Sequence, residues 1–395
     1  MTFHDIASFA SALEHLDAPI YIAGAGLFGR TVGHYLDAHG IAWEGFFDKQ
    51  KFENKVCNKD VYPYDRLSEL VNRPAVFLVS SVSYKEGISE TLRSFNISDE
   101  RIYSFYSEAV LLDMMREMED ISELEDRLLA LKDVHHGKAC FVVGNGPSLA
   151  IPDLERIKEE VSFGCNSIYA LFDHTDWRPT YYFANDDIAT DSLVADNLIG
   201  SLCKNFQGMI FSLVQHEKFK EIANSENCYF YKLISATTEE ERQTCLKNQK
   251  FIFLGGTVVC SMIQMAIYMG FSRIYLLGLD CTFPVEMHDG GIVVQNEMEM
   301  IHNPLIEAVD RKGYDKAQKR YGYAYFMEYD TMLRGYRSIR KYADGHGIHI
   351  YNATRGGKLE VFDRVDFDSL FTDGKFTPER AVIHPREPWY TNSGN

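Results

Sequence analysis

Two glycine-rich turns carry the residue types and spacing that could do chemistry. The first to weigh is Gly144-Asn145-Gly146-Pro147-Ser148, which follows the apolar run Phe141-Val142-Val143. A strand that ends in such a turn and feeds a helix leaves unpaired backbone N–H groups at the helix start, where an anion is favoured. Gly144 and Gly146 permit close backbone approach, Asn145 can donate and accept, and Ser148 adds a hydroxyl. No G-K-[ST] follows, so the turn is not a P-loop. The second turn, Gly24-Ala25-Gly26-Leu27-Phe28-Gly29, fits G-x-G-x-x-G, and Asp48 stands 19 residues after Gly29. That order is the one in which a dinucleotide fold cradles a pyrophosphate and holds a ribose hydroxyl. The same glycines also serve tight strand-to-helix packing with no ligand, and both uses stay open.

These turns need strands and helices to hold them. Pro19 to Ala23, WEGFFD, PAVFLVSS and RIYSF read as buried strands with helical stretches between, which is half or more of a Rossmann-like sheet. Leu111, Met114, Met118, Ile121, Leu124, Leu128 and Leu131 recur three or four residues apart and predict an amphipathic connecting helix, with dimer contact as its other use. His135-His136-Gly137 reads as its solvated end. Beyond it, strand ends are expected at Asn166, at Asn185-Asp186-Asp187, at Gly255-Gly256-Thr257, at Asp280 and at Asn352-Ala353-Thr354. In an open parallel sheet such ends share one edge, where ligands bind; a single one of them is as well explained by a turn or a helix cap. The expected fold is α/β, with two Rossmann-like domains of mainly parallel sheet: residues 1–110, a helical linker 111–134, a catalytic domain 135–365 and a partly ordered tail 366–395.

Composition bounds the function. The chain has 395 residues and 46% hydrophobic content, enough for two cores, and a formal charge of -17 that argues against nucleic acid as partner. Eight scattered cysteines without zinc-site spacing read as buried thiols in a reducing cytosol, and no metal site is assigned. No uncharged run approaches the length of a membrane span, and the N-terminus lacks a leader pattern, so a soluble cytoplasmic protein is expected.

GNGPSL, FGCNSIY, WRPTYYFANDD, GGTVVCSMIQMAIYMGFSRIYLLGLD and IYNATRGGKLEVF together resemble the domain shared by 6-hydroxymethylpterin pyrophosphokinase-like proteins and the flagellin glycosyltransferases called motility accessory factors, over about residues 138 to 365. More distantly, the segment resembles bacterial sialyltransferases that use CMP-activated donors. The resemblance implies that Gly144, Asn145, Gly146, Ser148, Asn166 and Asn185 hold the nucleotide, with Gly256 and Thr257 as a second contacting turn; the strand-end reading adds Asp186, Asn352 and Thr354 at the same edge. It implies a metal-independent glycosyltransferase moving a nonulosonic sugar from CMP to a glycan or protein acceptor. Tyrosines, chief among them Tyr323 and Tyr325, would assist the leaving group. His302 would be the general base, with His288 as rival and Asp280 as a third candidate. The polar stretch 281–330 would form a lid. A magnesium- and ATP-dependent pyrophosphokinase using Asp186-Asp187 and Asp280 comes second, and a non-catalytic sugar-nucleotide binder third. A homo-oligomer fits any of these.

Overall fold

The computed structural model describes residues 1–386 except 15, 50–54, 82–84, 119–121, 186–188, 191–192, 195–199, 201–205, 220–221, 223–224, 282–284, 289–290 and 295–328. The chain divides into two compact units, Met1–Glu125 with Lys232–Ser235, and Asp126–Tyr231 with Ala236–Asn395. Both are Rossmann-like α/β folds.

In the first unit the strands are β1 (Thr2–Phe3), β2 (Ile20–Ala23), β3 (Gly45–Asp48), β4 (Lys55–Val56), β5 (Lys59–Pro63), β6 (Val76–Val79) and β7 (Ile102–Phe105), in the order β1-β7-β6-β2-β3-β5-β4. All pairs are parallel except β4 with β5. Helix α1 (Ile6–Glu14), α2 (Leu27–Ala38) and α4 (Glu108–Met118) belong with one face of the sheet, and α3 (Lys85–Ser94) with the other. Both faces are therefore covered, which is why Val-Phe-Leu-Val of β6 is an unbroken apolar run with every residue buried.

The expected linker divides differently. Val110, Leu111 and Met114 of α4 are core residues of the first unit, while α5 (Ser122–Leu129) is a separate helix. One continuous apolar stripe is thus read by two helices.

The second unit holds β8 (Ala139–Val143), β9 (Ser162–Cys165), β10 (Tyr181–Ala184), β11 (Gly208–Ser212), β12 (Cys228–Tyr231), β13 (Arg273–Leu277), β14 (His349–Asn352), β15 (Asp363–Val365) and β16 (Ile383–His384). Their order is β12-β11-β10-β9-β8-β13-β14-β15-β16, parallel except for the last pair. From β8 the chain steps outward strand by strand to β12, then returns to the far side of β8 as β13. The strand order reverses between β8 and β13, so the crevice beyond their carboxyl ends is the ligand position that this topology favours.

Around this sheet lie α6 (Ile151–Arg156), α7 (Glu239–Asn248), α8 (Val258–Tyr268) and α9 (Tyr329–Gly345). All eleven residues of α8 are buried, which accounts for its all-round apolar sequence. Of the expected partly ordered tail, residues 366–386 are part of this unit: β16 adds an antiparallel edge to β15, and the Phe376 ring packs on Phe141 and Tyr275 at 5.2 and 5.7 Å. His135, expected at a solvated helix end, is buried; its Nε2 lies 2.8 Å from the Tyr181 hydroxyl and its ring stacks on Phe271. Among the described residues no helix is long and apolar enough to cross a membrane. None of the described cysteines forms a disulfide; five are buried, and Cys57 and Cys281 are half-buried.

Candidate functional site

At the switch point the loops after β8 and β13 are bonded to one another. Gly144 N–H donates to the Leu277 carbonyl and Gly146 N–H to the Gly278 carbonyl, both at 2.8 Å. The glycines are needed for this approach. A Cβ on Gly144 would lie 2.8 Å from the Gly278 oxygen, and one on Gly146 would meet the Asp280 carboxylate. Ser148 closes the contact, its hydroxyl donating to Asp280 Oδ2 at 2.8 Å and its N–H reaching the same oxygen at 3.2 Å.

Asp280 is buried, and its Oδ2 thereby anchors the 144–148 loop. That is a positioning contact between the carboxylate and the loop. Next to it, Cys281 takes a left-handed backbone, and burial followed by the Asp280 charge pushes its thiol up to about 12.

The other side of the crevice is amide-lined. Asn145 Nδ2 donates to the Cys165 carbonyl at 3.2 Å, which fixes its orientation and leaves Oδ1 as the free end. Among the described residues that oxygen is buried without a partner, and so is Oδ1 of Asn166. Asn166 follows β9 at φ +49°, and its carbonyl accepts from the Tyr182 hydroxyl at 2.6 Å. Buried unpaired acceptors are costly, by about 1–3 kcal/mol each. They are chemically suited to a ligand's amine or hydroxyl donors.

The remaining expected residues fall into three groups. Asn185, at the end of β10, donates to the buried Ser261 hydroxyl of α8 at 3.1 Å. Asn352 and Thr354 are at the edge and bonded within it: Asn352 Nδ2 donates to the Leu359 carbonyl, its Oδ1 accepts from Thr354 N–H, and Thr354 Oγ1 accepts from Leu279 N–H. Gly256 and Thr257 do not end a strand of the nine-stranded sheet. The preceding strand, Ile252–Phe253, is outside it, and the Gln264 carboxamide pairs with both the N–H and the carbonyl of Phe253. Thr257 is the N-cap of α8, accepting from Val259 N–H, and its hydroxyl also meets Tyr336. Asp186, His302, Tyr323 and Tyr325 lie outside the described residues, as does most of the expected lid. His288 ends a strand, Val285–His288, paired antiparallel with Gly291–Val294, but its side chain is likewise outside them.

Two residues near the edge escaped the sequence reading. Tyr336 of α9 is buried beside Cys165, Cys260 and Cys281, and burial pushes its phenol far above the ordinary value. Ser261 looks like one more small residue of an apolar helix. Neither carries a local signal, because each reaches the edge only through helix packing.

In the first unit the G-x-G-x-x-G turn is partly closed by its own chain. Asp48 Oδ2 accepts from Ala25 N–H at 2.7 Å. Gly24 is at φ +105° with a Cβ position 2.7 Å from Ser80 Oγ, and a Cβ on Gly29 would strike the Gly24 carbonyl. Gly26 alone has open space around its missing Cβ. Packing thus accounts for Gly24 and Gly29 but not for Gly26.

Residues 112–286 match the model of the family described as 6-hydroxymethylpterin diphosphokinase MptE-like. The resemblance to 6-hydroxymethylpterin pyrophosphokinase-like proteins is therefore found again, over a stretch that stops before β14. A solved structure titled as a MAf glycosyltransferase from Magnetospirillum magneticum AMB-1 is 14% identical, with 95% of this chain and 63% of that chain covered at a TM-score of 0.35. The chain thus spans 63% of that protein's length, and a likeness at this score transfers nothing further. No curated protein matches the chain.

Proposed function

We propose that the second unit is a transferase that binds a nucleotide-activated donor across the β8/β13 crevice, and that the donor is a CMP-linked sugar passed to a glycan or protein hydroxyl. The observation that carries this reading is the Asn145 carboxamide, oriented by Cys165, with its oxygen buried and, among the described residues, unpartnered beside the 144–148 turn. A phosphate has only acceptors to offer that oxygen, whereas the cytosine amine and ribose hydroxyls are donors. The base and ribose therefore belong near Asn145 and Asn166, and the phosphate near the glycine turn.

In the transfer, the acceptor oxygen bonds to the anomeric carbon as the bond from that carbon to the CMP oxygen breaks. The acceptor proton passes to a base, and CMP leaves. His302 takes the role of base in this reading and His288 is its rival. Asp280 is the third candidate. Tyr323 and Tyr325 donate to the leaving phosphate, and no metal is required.

The second reading follows the family description: a diphosphokinase using ATP and magnesium, with Asp186-Asp187 as ligands. Thermal-shift titrations of the whole protein separate the two. CMP is expected to stabilise the wild type without magnesium, and Asn145→Ala to weaken it by about 2- to 10-fold, the value of one neutral hydrogen bond. Stabilisation by ATP with magnesium and none by CMP would replace the first reading with the second.

A further inference from the structure

We propose that Lys358 binds the phosphate of the donor nucleotide and balances its charge as the nucleoside monophosphate leaves; this rests on the nucleotide reading above and names a residue of that same site.

The loop after β14 and the strand it enters carry three cations, Arg355, Lys358 and Arg364, and two of them are engaged within the chain. Arg355 holds Asp153 and Asp368, at 2.7 and 2.9 Å. Arg364 donates to the carbonyls of Thr354, Gly356 and Gly357, at 3.3, 2.7 and 3.0 Å, and pairs with Glu360. Lys358 is exposed, and among the described residues its ammonium has neither a carboxylate nor a hydrogen-bond partner.

Its backbone is held on every side. Lys358 N–H donates to the Asp280 carbonyl at 2.6 Å. The next residue, Leu359, is fully buried, and its carbonyl accepts from Asn352 at 2.8 Å. The two residues before it, Gly356 and Gly357, are both left-handed, at φ +78° and +72°. A Cβ on Gly357 would come within 2.7 Å of the Asp280 carbonyl oxygen, so only glycine lets the loop lie this close. Asp280 consequently touches the 144–148 loop through its side chain and the 356–358 loop through its main chain. A lysine fixed at its root and unpaired at its tip stands at the switch-point crevice.

The charge balance gives that lysine its use. The chain carries a formal charge of -17, and Asp280 adds a buried carboxylate at the crevice floor. A phosphate entering there needs a local cation. Lysine is suited as a point charge on phosphate, and a lysine whose backbone is pinned loses less freedom on binding than one on a loose loop.

Calorimetric titration of the whole protein with CMP and with cytidine, which lacks the phosphate, tests this on the wild type, Lys358→Gln and Lys358→Arg. Lys358→Gln should weaken CMP by about 10- to 100-fold, as for loss of a hydrogen bond to a charged group, and leave cytidine unchanged. Lys358→Arg should recover most of the loss, and the salt dependence of CMP binding should fall in the Gln variant. Equal losses for CMP and cytidine would mark Lys358 as structural, and CMP affinity indifferent to the Gln change would likewise overturn the inference while the nucleotide reading stood. A wild type that binds neither CMP nor ATP overturns both.

Discussion

Replacing Gly146 by alanine should open the carboxyl edge of the second unit, and the same replacement at Gly26 in the first unit should not. At Gly146 the new Cβ would fall on the Asp280 carboxylate and within 2.5 Å of the Gly278 carbonyl oxygen. Neither neighbour is free to yield. The Gly278 oxygen accepts from Gly146 itself, and the Asp280 carbonyl is tied to Lys358 N–H. Overpacking of this kind costs about 1–3 kcal/mol. If the 144–148 loop moves away instead, Ser148 loses its bonds to the carboxylate, a further ~1.5–3 kcal/mol for a charged acceptor. The expected total is about 2–4 kcal/mol, since either route relieves part of the other. Gly26 sits at φ -69° with nothing near its Cβ position. There the loss of a glycine N-cap opposes the entropy gained from a stiffer unfolded chain, and the net should stay within about 1 kcal/mol. Two units need not unfold together, so one global unfolding energy is the wrong measure. Hydrogen exchange resolved by peptide is the better one. In Gly146→Ala, amides of β8 and β13 should exchange about 30- to 700-fold faster, the equivalent of 2–4 kcal/mol, with β2 unchanged. Wild-type protection in β8 and β13, or equal deprotection of β2 by Gly26→Ala, would refute the steric reasoning.

Two further outcomes follow from the same geometry. Burial, aided by the Lys138 charge, holds the His135 imidazole below its ordinary 6.5. The unfolded chain therefore takes up this proton first, so the group's stabilisation is complete above pH 6.5 and is lost as pH falls through that value toward the folded one. His135→Gln should accordingly narrow the gap in melting temperature between about pH 7.5 and about pH 5, and an unchanged gap would count against it. Gln264→Met keeps the volume of the buried side chain but strands the Phe253 N–H and carbonyl; two unsatisfied groups should cost about 2–4 kcal/mol, read as faster exchange in the 252–268 peptides with the β8 edge intact. Full protection there would show that other groups replace the carboxamide.

Much of the fold is legible in contiguous residues. The runs that became β2, β6, β8 and β13 are short, apolar and followed by glycine or a small residue, and that pattern is a property of the local chain. The glycines at 144, 146 and 278 mark turns where a side chain would not fit, and the structure gives each a specific obstacle. The family resemblance was carried by the same local features. Periodicity was less reliable at 111–131, because a stripe of leucines and methionines records burial but not where one helix ends and the next begins.

What the sequence by itself determined was therefore the class of fold and the places where the chain turns. Which turns meet was decided only in three dimensions. Ser148 and Asp280 are far apart along the chain, and their bond exists because β13 returns to the side of β8 that the outward-stepping strands leave vacant. The Gly255-Gly256-Thr257 turn resembled the other strand ends, yet the strand before it, Ile252–Phe253, lies outside the nine-stranded sheet. The two glycine motifs look alike as strings, but Asp48 caps the first from below while Asp280 draws the second toward a neighbouring loop. Lys358 is an ordinary loop lysine until Arg355 and Arg364 are seen to be engaged and its own ammonium, among the described residues, is not. A residue's type and spacing fix what it can do; only the long-range pairing of strands fixes what stands next to it.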